Sequence, residues 1–377
     1  MIVLSQFAGG SLWFAGNALI GELQLALGLP DAALGWITSA VQLGFIAGTL
    51  GFAFFAVSDL ASPRLVFLLC ALAGAAANAA SYALAQGLGS LLVLRFATGF
   101  FLAGIYPVGM KIAAGWYRDD LGKALGFLVG ALVLGTAFPH LLKGLGTALP
   151  AQQVMLGVSA LAVAGGAAMF ALVPDGPYLS GGARFDPRAL AAVFGAPRFR
   201  ASAFGYFGHM WELYAFWAFL PLVIAAHAAQ LAVPLWTFAV IGVGALGCIA
   251  GGVASLRLGS ARVAFAQLAA SGVCCLLSPL LFHAPTWLFL AFLLFWGVVI
   301  AGDSPQFSTL NARFAPPELV GTALTIANCI GFAITIVSIA LLARLIETAG
   351  PQYVFVMLVP GPVLGLVALR RLATKAA

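Results

Sequence analysis

The stretch "FGHMWELYAF" (207–216) sets an imidazole and a carboxyl, His209 and Glu212, three residues apart in an otherwise apolar run. On a helix that spacing places both on one face. A carboxyl beside an imidazole is a place where a proton can be taken up and released near neutral pH. A proton-coupled carrier needs that chemistry. A further acid, Asp303, lies in "GDSPQFSTL" (302–310), and an arginine, Arg95, in "RFATGFFLAG" (95–104). Each also stands among apolar residues. A charge at the centre of a bilayer costs roughly 2.5–3.5 kcal/mol on insertion scales, so pairing, water or function must offset it.

Each residue has a plainer reading. Glu212 is alternatively a fixed partner for His209 or Arg95, and His209 a structural hydrogen-bonding group. Asp303 would cap the break at Gly302-Asp303-Ser304-Pro305, where the proline lacks an N–H. Arg95 would pair with Glu22 as a gate. His140, beside Pro139, would satisfy freed backbone, and Lys111 would snorkel to the surface. Trp13, Trp211, Tyr214, Trp217 and Trp296 fit packing as well as a ligand wall.

The elements that must position these groups follow from composition. The 377 residues are 63% hydrophobic and 7% charged, with a mean hydropathy of +1.09. A soluble domain carries about 25% charged residues, so the chain reads as a polytopic membrane protein. Long Leu/Ala/Val/Phe runs replace strand alternation, so the spans are helices and not a barrel. Breaks at Gly, Pro and charge clusters give twelve expected spans: 3–26, 33–56, 65–86, 89–112, 124–146, 152–173, 202–226, 231–254, 263–282, 286–310, 321–343 and 350–369. The first run reads as a span, not a cleaved signal. The five cysteines, Cys70, Cys248, Cys274, Cys275 and Cys329, lack metal spacing and read as buried small hydrophobes.

A Pro/Gly-rich segment, 174–200, separates two sets of six spans. The expected organisation is an N-terminal bundle over 1–173, a cytoplasmic linker over 174–200 and a C-terminal bundle over 201–377. With both termini cytoplasmic, the inside segments hold 13 of the 17 Lys and Arg, against Lys143 and Arg344 outside. The positive-inside rule therefore sets both termini in the cytoplasm. The same bias accounts for the net charge of +6 without a nucleic-acid partner.

The halves repeat. A shift of 198 residues lays "DLASPRLVF" (59–67) over "RLGSARVAF" (257–265), and Gly99, Ala103, Gly104 and Pro107 over Gly297, Ala301, Gly302 and Pro305. It also lays "GSLWF" (10–14) over "GHMWE" (208–212), so Gly10 and Trp13 match Gly208 and Trp211. The Gly and Trp read as shared scaffold. His209 and Glu212, where the first half has Ser11 and Phe14, are what one half adds. A parallel duplication of six helices is a transporter architecture.

Over its whole length the chain resembles the major facilitator superfamily. The loop "FFAVSDLASPR" looks like a worn copy of that family's loop signature: Asp59 and Arg64 fit, but Phe55 replaces a usual Gly and Ser62-Pro63 a Gly-basic pair. Arg95 and Gly99 resemble its Arg-x-x-x-Gly motif. "HMWELYAFWAF" and "GDSPQFSTL" resemble a bacterial branch. The resemblance implies an all-α fold of twelve transmembrane helices in two pseudo-symmetric bundles, with spans 1, 4, 7 and 10 lining a cavity. It implies substrate contact at Arg95, Asn17, Trp13, Tyr106, Trp211, Tyr214, Trp296 and Gln306. Proton coupling falls to Glu212, His209 and Asp303, and a conformational latch to Asp59 and Arg64.

The expected function is a secondary carrier of a small anionic or polar organic solute, coupled to protons, working by alternating access as a monomer in the bacterial inner membrane. Its partners would be that solute, protons and the lipid bilayer, with no nucleic acid and no cofactor. An efflux pump for amphipathic drugs and a metal-ion carrier are the alternatives. The fifth span, "GALVLGTAFPHLLKG" (130–144), departs from the family's exporter signature, which counts against drug efflux. No P-loop, HExxH or Ser/His/Asp set marks a pump or an enzyme.

Overall fold

The computed structural model describes residues 1–57, 61–117, 121–145, 149–179 and 186–374. Asp59 lies outside them. The described chain is helical, without strands. Eleven helices are long and apolar enough to cross a membrane, from Ala33–Phe54 to Pro351–Thr374. The remaining expected span, the first, is broken into Ile2–Gly10, Ala15–Ala18 and Ile20–Leu27, so no one piece has the length. Its break follows a Gly9-Gly10 pair and is closed by tight bonds from Leu12 N–H to the Gly9 carbonyl (3.4 Å) and from Trp13 N–H to the Gly10 carbonyl (3.1 Å).

Two other spans break where the sequence repeat says they should correspond. Span 4 is Leu88–Leu102 followed by Tyr106–Trp116, with Pro107 at the start of the second piece. Span 10 is Thr286–Gly302 followed by Ser304–Phe314, with Pro305 in the same place. Proline offers no N–H to the preceding turn, so its helix restarts there.

The chain folds into two compact units. Unit 1 comprises residues 1–121, 131–181 and 231–242; unit 2 comprises 122–130, 182–230 and 243–377. Within unit 1, span 1 packs on span 6, span 3 on spans 6 and 4, and span 2 on span 4. Within unit 2, span 7 packs on span 12, span 9 on spans 12 and 10, and span 8 on span 10. The duplication read in sequence thus recurs as one pairing scheme used twice.

Small residues set those pairings. A Cβ at Gly44 would meet the Phe96 carbonyl and one at Gly48 the Phe100 carbonyl, so span 4 backbone lies directly on "GFIAG" (44–48). In unit 2, "GCIAG" (247–251) does the same against the carbonyls of Val298 and, at 3.0 Å, Gly302. Glycines four apart let two membrane helices approach at backbone distance.

Candidate functional site

Span 7 is the long helix Pro197–His227, entered through Pro197, whose missing N–H is harmless in a first turn. Every residue from Ser202 to Leu220 is buried except Phe204, Phe207 and Trp211. Gly208 takes part in this: a Cβ there would meet the Gly361 carbonyl of span 12. His209 and Glu212 are carried inward by that close seat, and both are 0% exposed.

Glu212 faces span 9, the helix Ser260–Phe282. Ser271 Oγ donates to Glu212 Oε2 at 2.8 Å, and Cys275 Sγ makes a longer contact of 3.5 Å to the same oxygen. Trp296 Nε1 in span 10 donates to Ser271 Oγ at 3.0 Å. Phe216 and Phe355 pack on the Trp296 ring at 4.6 and 5.4 Å between centroids and hold the indole in place. Glu212 Oε1 has no hydrogen-bond partner among the described residues.

His209 lies one turn away with its Nδ1 2.8 Å from Asp303 Oδ1, and Asp303 is also 0% exposed. The two groups form a buried pair. His209 Nε2, on the other side of the ring, has no hydrogen-bond partner among the described residues. The imidazole sits between Tyr206 and Phe307, at 6.1 and 5.8 Å between ring centroids. Asp303 is the residue between the two pieces of span 10, and its side chain does not cap the second piece. The capping alternative is therefore not what the structure uses; the acid points to His209. One ligand atom from each of His209, Glu212 and Asp303 falls within 4.8 Å of the others.

Unit 1 holds a buried charge of its own. Arg95 is 0% exposed. Its Nη1 donates to Asn78 Oδ1 at 2.8 Å, and its Nη2 to the carbonyls of Leu12 (3.1 Å) and Trp13 (2.9 Å). Those carbonyls are available because span 1 breaks at that point. Asn78 in turn donates to Ser159 Oγ at 3.0 Å. The pairing of Arg95 with Glu22 is not found: Glu22 pairs with Lys143 instead. Among the described residues no carboxylate pairs with Arg95.

The other expected contacts are distributed. Asn17 donates to Thr38 Oγ1 at 2.7 Å and Trp13 Nε1 to Gln42 Oε1 at 3.3 Å, both within unit 1. Tyr106, Tyr214 and Gln306 are buried. Trp211 is half-buried and donates to the Met357 carbonyl at 3.4 Å. Arg64 forms an ion pair with Asp175 at 3.0 Å and donates to the Val173 carbonyl at 3.1 Å, tying the start of span 3 to the end of span 6. Ser271, Cys275 and Asn78 are the residues that reading by charge passed over. Their signal was a neutral polar group in an apolar run.

Residues 2–202 match a family described as the Major Facilitator Superfamily. No curated protein matches the chain. Among solved structures, the crystal structure of the human organic anion transporter MFSD10 (TETRAN) resembles it with a TM-score of 0.67 at 16% identity, covering 98% of each chain. At that identity the likeness is one of fold.

Proposed function

The chain belongs to the major facilitator superfamily, and we propose that it is a proton-coupled secondary carrier of a small organic anion, working by alternating access in a bacterial inner membrane with both termini cytoplasmic. Membrane transport is the family's business; the ion and the solute are the proposal. One observation carries it: Glu212, His209 and Asp303 are fully buried, His209 pairs with Asp303, and Glu212 Oε1 and His209 Nε2 are left without a partner among the described residues. A scaffold residue would normally have those atoms satisfied. Two carboxyls and one imidazole that close together can hold a proton in more than one arrangement.

Arg95 supports an anionic solute. Its guanidinium is held by neutral acceptors alone, so its charge is balanced by no described side chain. A buried cation of that kind attracts an anion. The structural neighbour is itself named an organic anion transporter. The described state buries Arg95, so the solute meets it in a state opened to one side.

A second reading rests on the same cluster. A ring nitrogen and two carboxylate oxygens within 4.8 Å form a donor set that a divalent cation accepts. The cation would then be the cargo or the coupling ion.

The test is a thermal-stability screen of purified protein against organic anions, amphipathic drugs and divalent cations at two pH values. It is followed by transport of the stabilising compound into proteoliposomes. The proposal expects an anion to stabilise, and expects its uptake to follow an inward proton gradient. Stabilisation by divalent cations alone, with uptake indifferent to the pH gradient, would establish the second reading.

A further inference from the structure

Unit 2 contains a cavity of about 740 Å³ whose lining includes six arginines and no acidic residue: Arg198, Arg200, Arg262, Arg313, Arg370 and Arg371. They come from four helix ends. Arg198 and Arg200 start the Pro197–His227 helix, Arg262 starts Ser260–Phe282, Arg313 ends Ser304–Phe314, and Arg370 and Arg371 end Pro360–Thr374. All six are exposed, and none pairs with a carboxylate among the described residues.

A general excess of cytoplasmic arginine explains basic loops. It does not explain why six guanidinium groups from four segments converge on one concavity. Nor does it explain their positions. Arg198, Arg200 and Arg262 stand in first turns, where the positive end of the helix dipole disfavours a cation. Local choices that oppose local stability mark functional places. The side chains are also steadied: Arg198 lies 4.3 Å over the Phe314 ring, Arg200 donates to the Phe194 carbonyl (3.1 Å) and Arg262 to the Ala373 carbonyl (3.3 Å). Each guanidinium has five N–H donors, so most remain for a ligand.

We propose that this cavity binds a phosphate-bearing anion, and that the anion is the headgroup of an acidic phospholipid. Phosphate takes donors from several directions, and arginine forks bind it bidentately. The lining supplies the second half of a lipid as well, since Phe204, Leu258 and Val367 are exposed apolar residues beside the arginines. A soluble phosphate would have no use for them. A headgroup on the arginines with an acyl chain along those three side chains uses both parts, as basic pockets between membrane helices do.

The experiment uses the full-length protein in detergent, with lipid retention read by native mass spectrometry and stability by thermal unfolding. The probes are dioleoylphosphatidylglycerol, dioleoylphosphatidylcholine and inorganic phosphate. The expected result is retention of the phosphatidylglycerol about tenfold above the phosphatidylcholine, with a matching rise in unfolding midpoint. R370Q/R371Q should abolish that preference, whereas R188Q/R257Q, which removes the same charge outside the cavity, should keep it. R262Q is the second variant should the double one fail to fold. An equal shift from inorganic phosphate and phosphatidylglycerol would overturn the lipid source. Equal retention of both lipids, or equal loss in both double variants, would overturn the site.

Discussion

Trp296 donates its indole N–H to Ser271 Oγ at 3.0 Å, and this fixes the direction of the next bond. An indole nitrogen only donates, so Ser271 accepts from it and gives its own proton to Glu212 Oε2, 2.8 Å away. Glu212 is therefore held by one oxygen while the other, Oε1, is left for a proton or an ion. The relay orients the acid.

Ser271→Ala should accordingly strand a buried indole N–H and leave Glu212 Oε2 only the longer Cys275 Sγ contact. Losing such partners costs about 1–3 kcal/mol, which thermal unfolding in detergent would read. Trp296→Phe alone should cost less in polar terms, because Ser271 still donates to Glu212, and it should alter the pH profile of transport less than Ser271→Ala does. Identical pH profiles for both variants and wild type would mean that the relay does not orient Glu212.

Arg95 allows a sharper separation of charge from shape. Lysine keeps the charge but cannot reach Asn78 on one side and two backbone carbonyls on the other. Arg95→Lys should weaken binding of the transported anion about tenfold or more, and Arg95→Ala should abolish it, as measured by ligand-induced stabilisation. Normal affinity and transport in both would leave Arg95 as scaffold for the break in span 1 and remove the support for an anionic solute.

Much of this was legible in the sequence because a membrane makes two signals loud. Continuous apolar runs gave the helices. Charges inside them, being costly, singled out Glu212, His209, Asp303 and Arg95. The repeat aligned Pro107 with Pro305, where the structure breaks spans 4 and 10. Partners were harder to read. Asn78, Ser271 and Cys275 carry no charge, and an apolar run tolerates such residues at little cost, so their signal, a neutral polar group among apolar ones, is a weak one. Glu22 was matched to Arg95 because both are ionisable, but Lys143 takes it and the backbone opened by the span 1 break satisfies Arg95 instead. The close-contact stretches "GFIAG" and "GCIAG" lie outside the blocks that the 198-residue shift aligns, so the repeat did not bring them out.

Span 2 offers an internal control for the packing argument. A Cβ at Gly48 would meet the Phe100 carbonyl, while one at Gly51, a turn further on, has nothing within 4 Å. Gly48→Ala should force spans 2 and 4 apart and destabilise by about 1–3 kcal/mol. Gly51→Ala should be neutral or stabilising by up to about 1 kcal/mol, through helix propensity. Unfolding midpoints of the two variants measure this directly, and equal midpoints would show that span 4 does not sit on the span 2 backbone.

The most demanding prediction concerns Glu212 itself. Because Ser271 donates to Oε2, glutamine can place its carbonyl oxygen there and its amide nitrogen where Oε1 now stands without a partner. Glu212→Gln thus keeps the shape and the bond to span 9 while removing the ability to bind or release a proton. It should abolish accumulation of solute driven by a pH gradient, yet leave solute binding and exchange between equal pools intact. Asp303→Asn removes the carboxylate 2.8 Å from the His209 ring, and His209→Ala removes the ring; both should displace the pH optimum more than they lower the maximum rate. If the cluster serves a metal ion instead, Glu212→Gln should weaken divalent-cation binding and leave any proton drive as it was. Undiminished accumulation by Glu212→Gln, with cation binding also unchanged, would reduce the four residues from His209 to Glu212 to a structural element of unit 2.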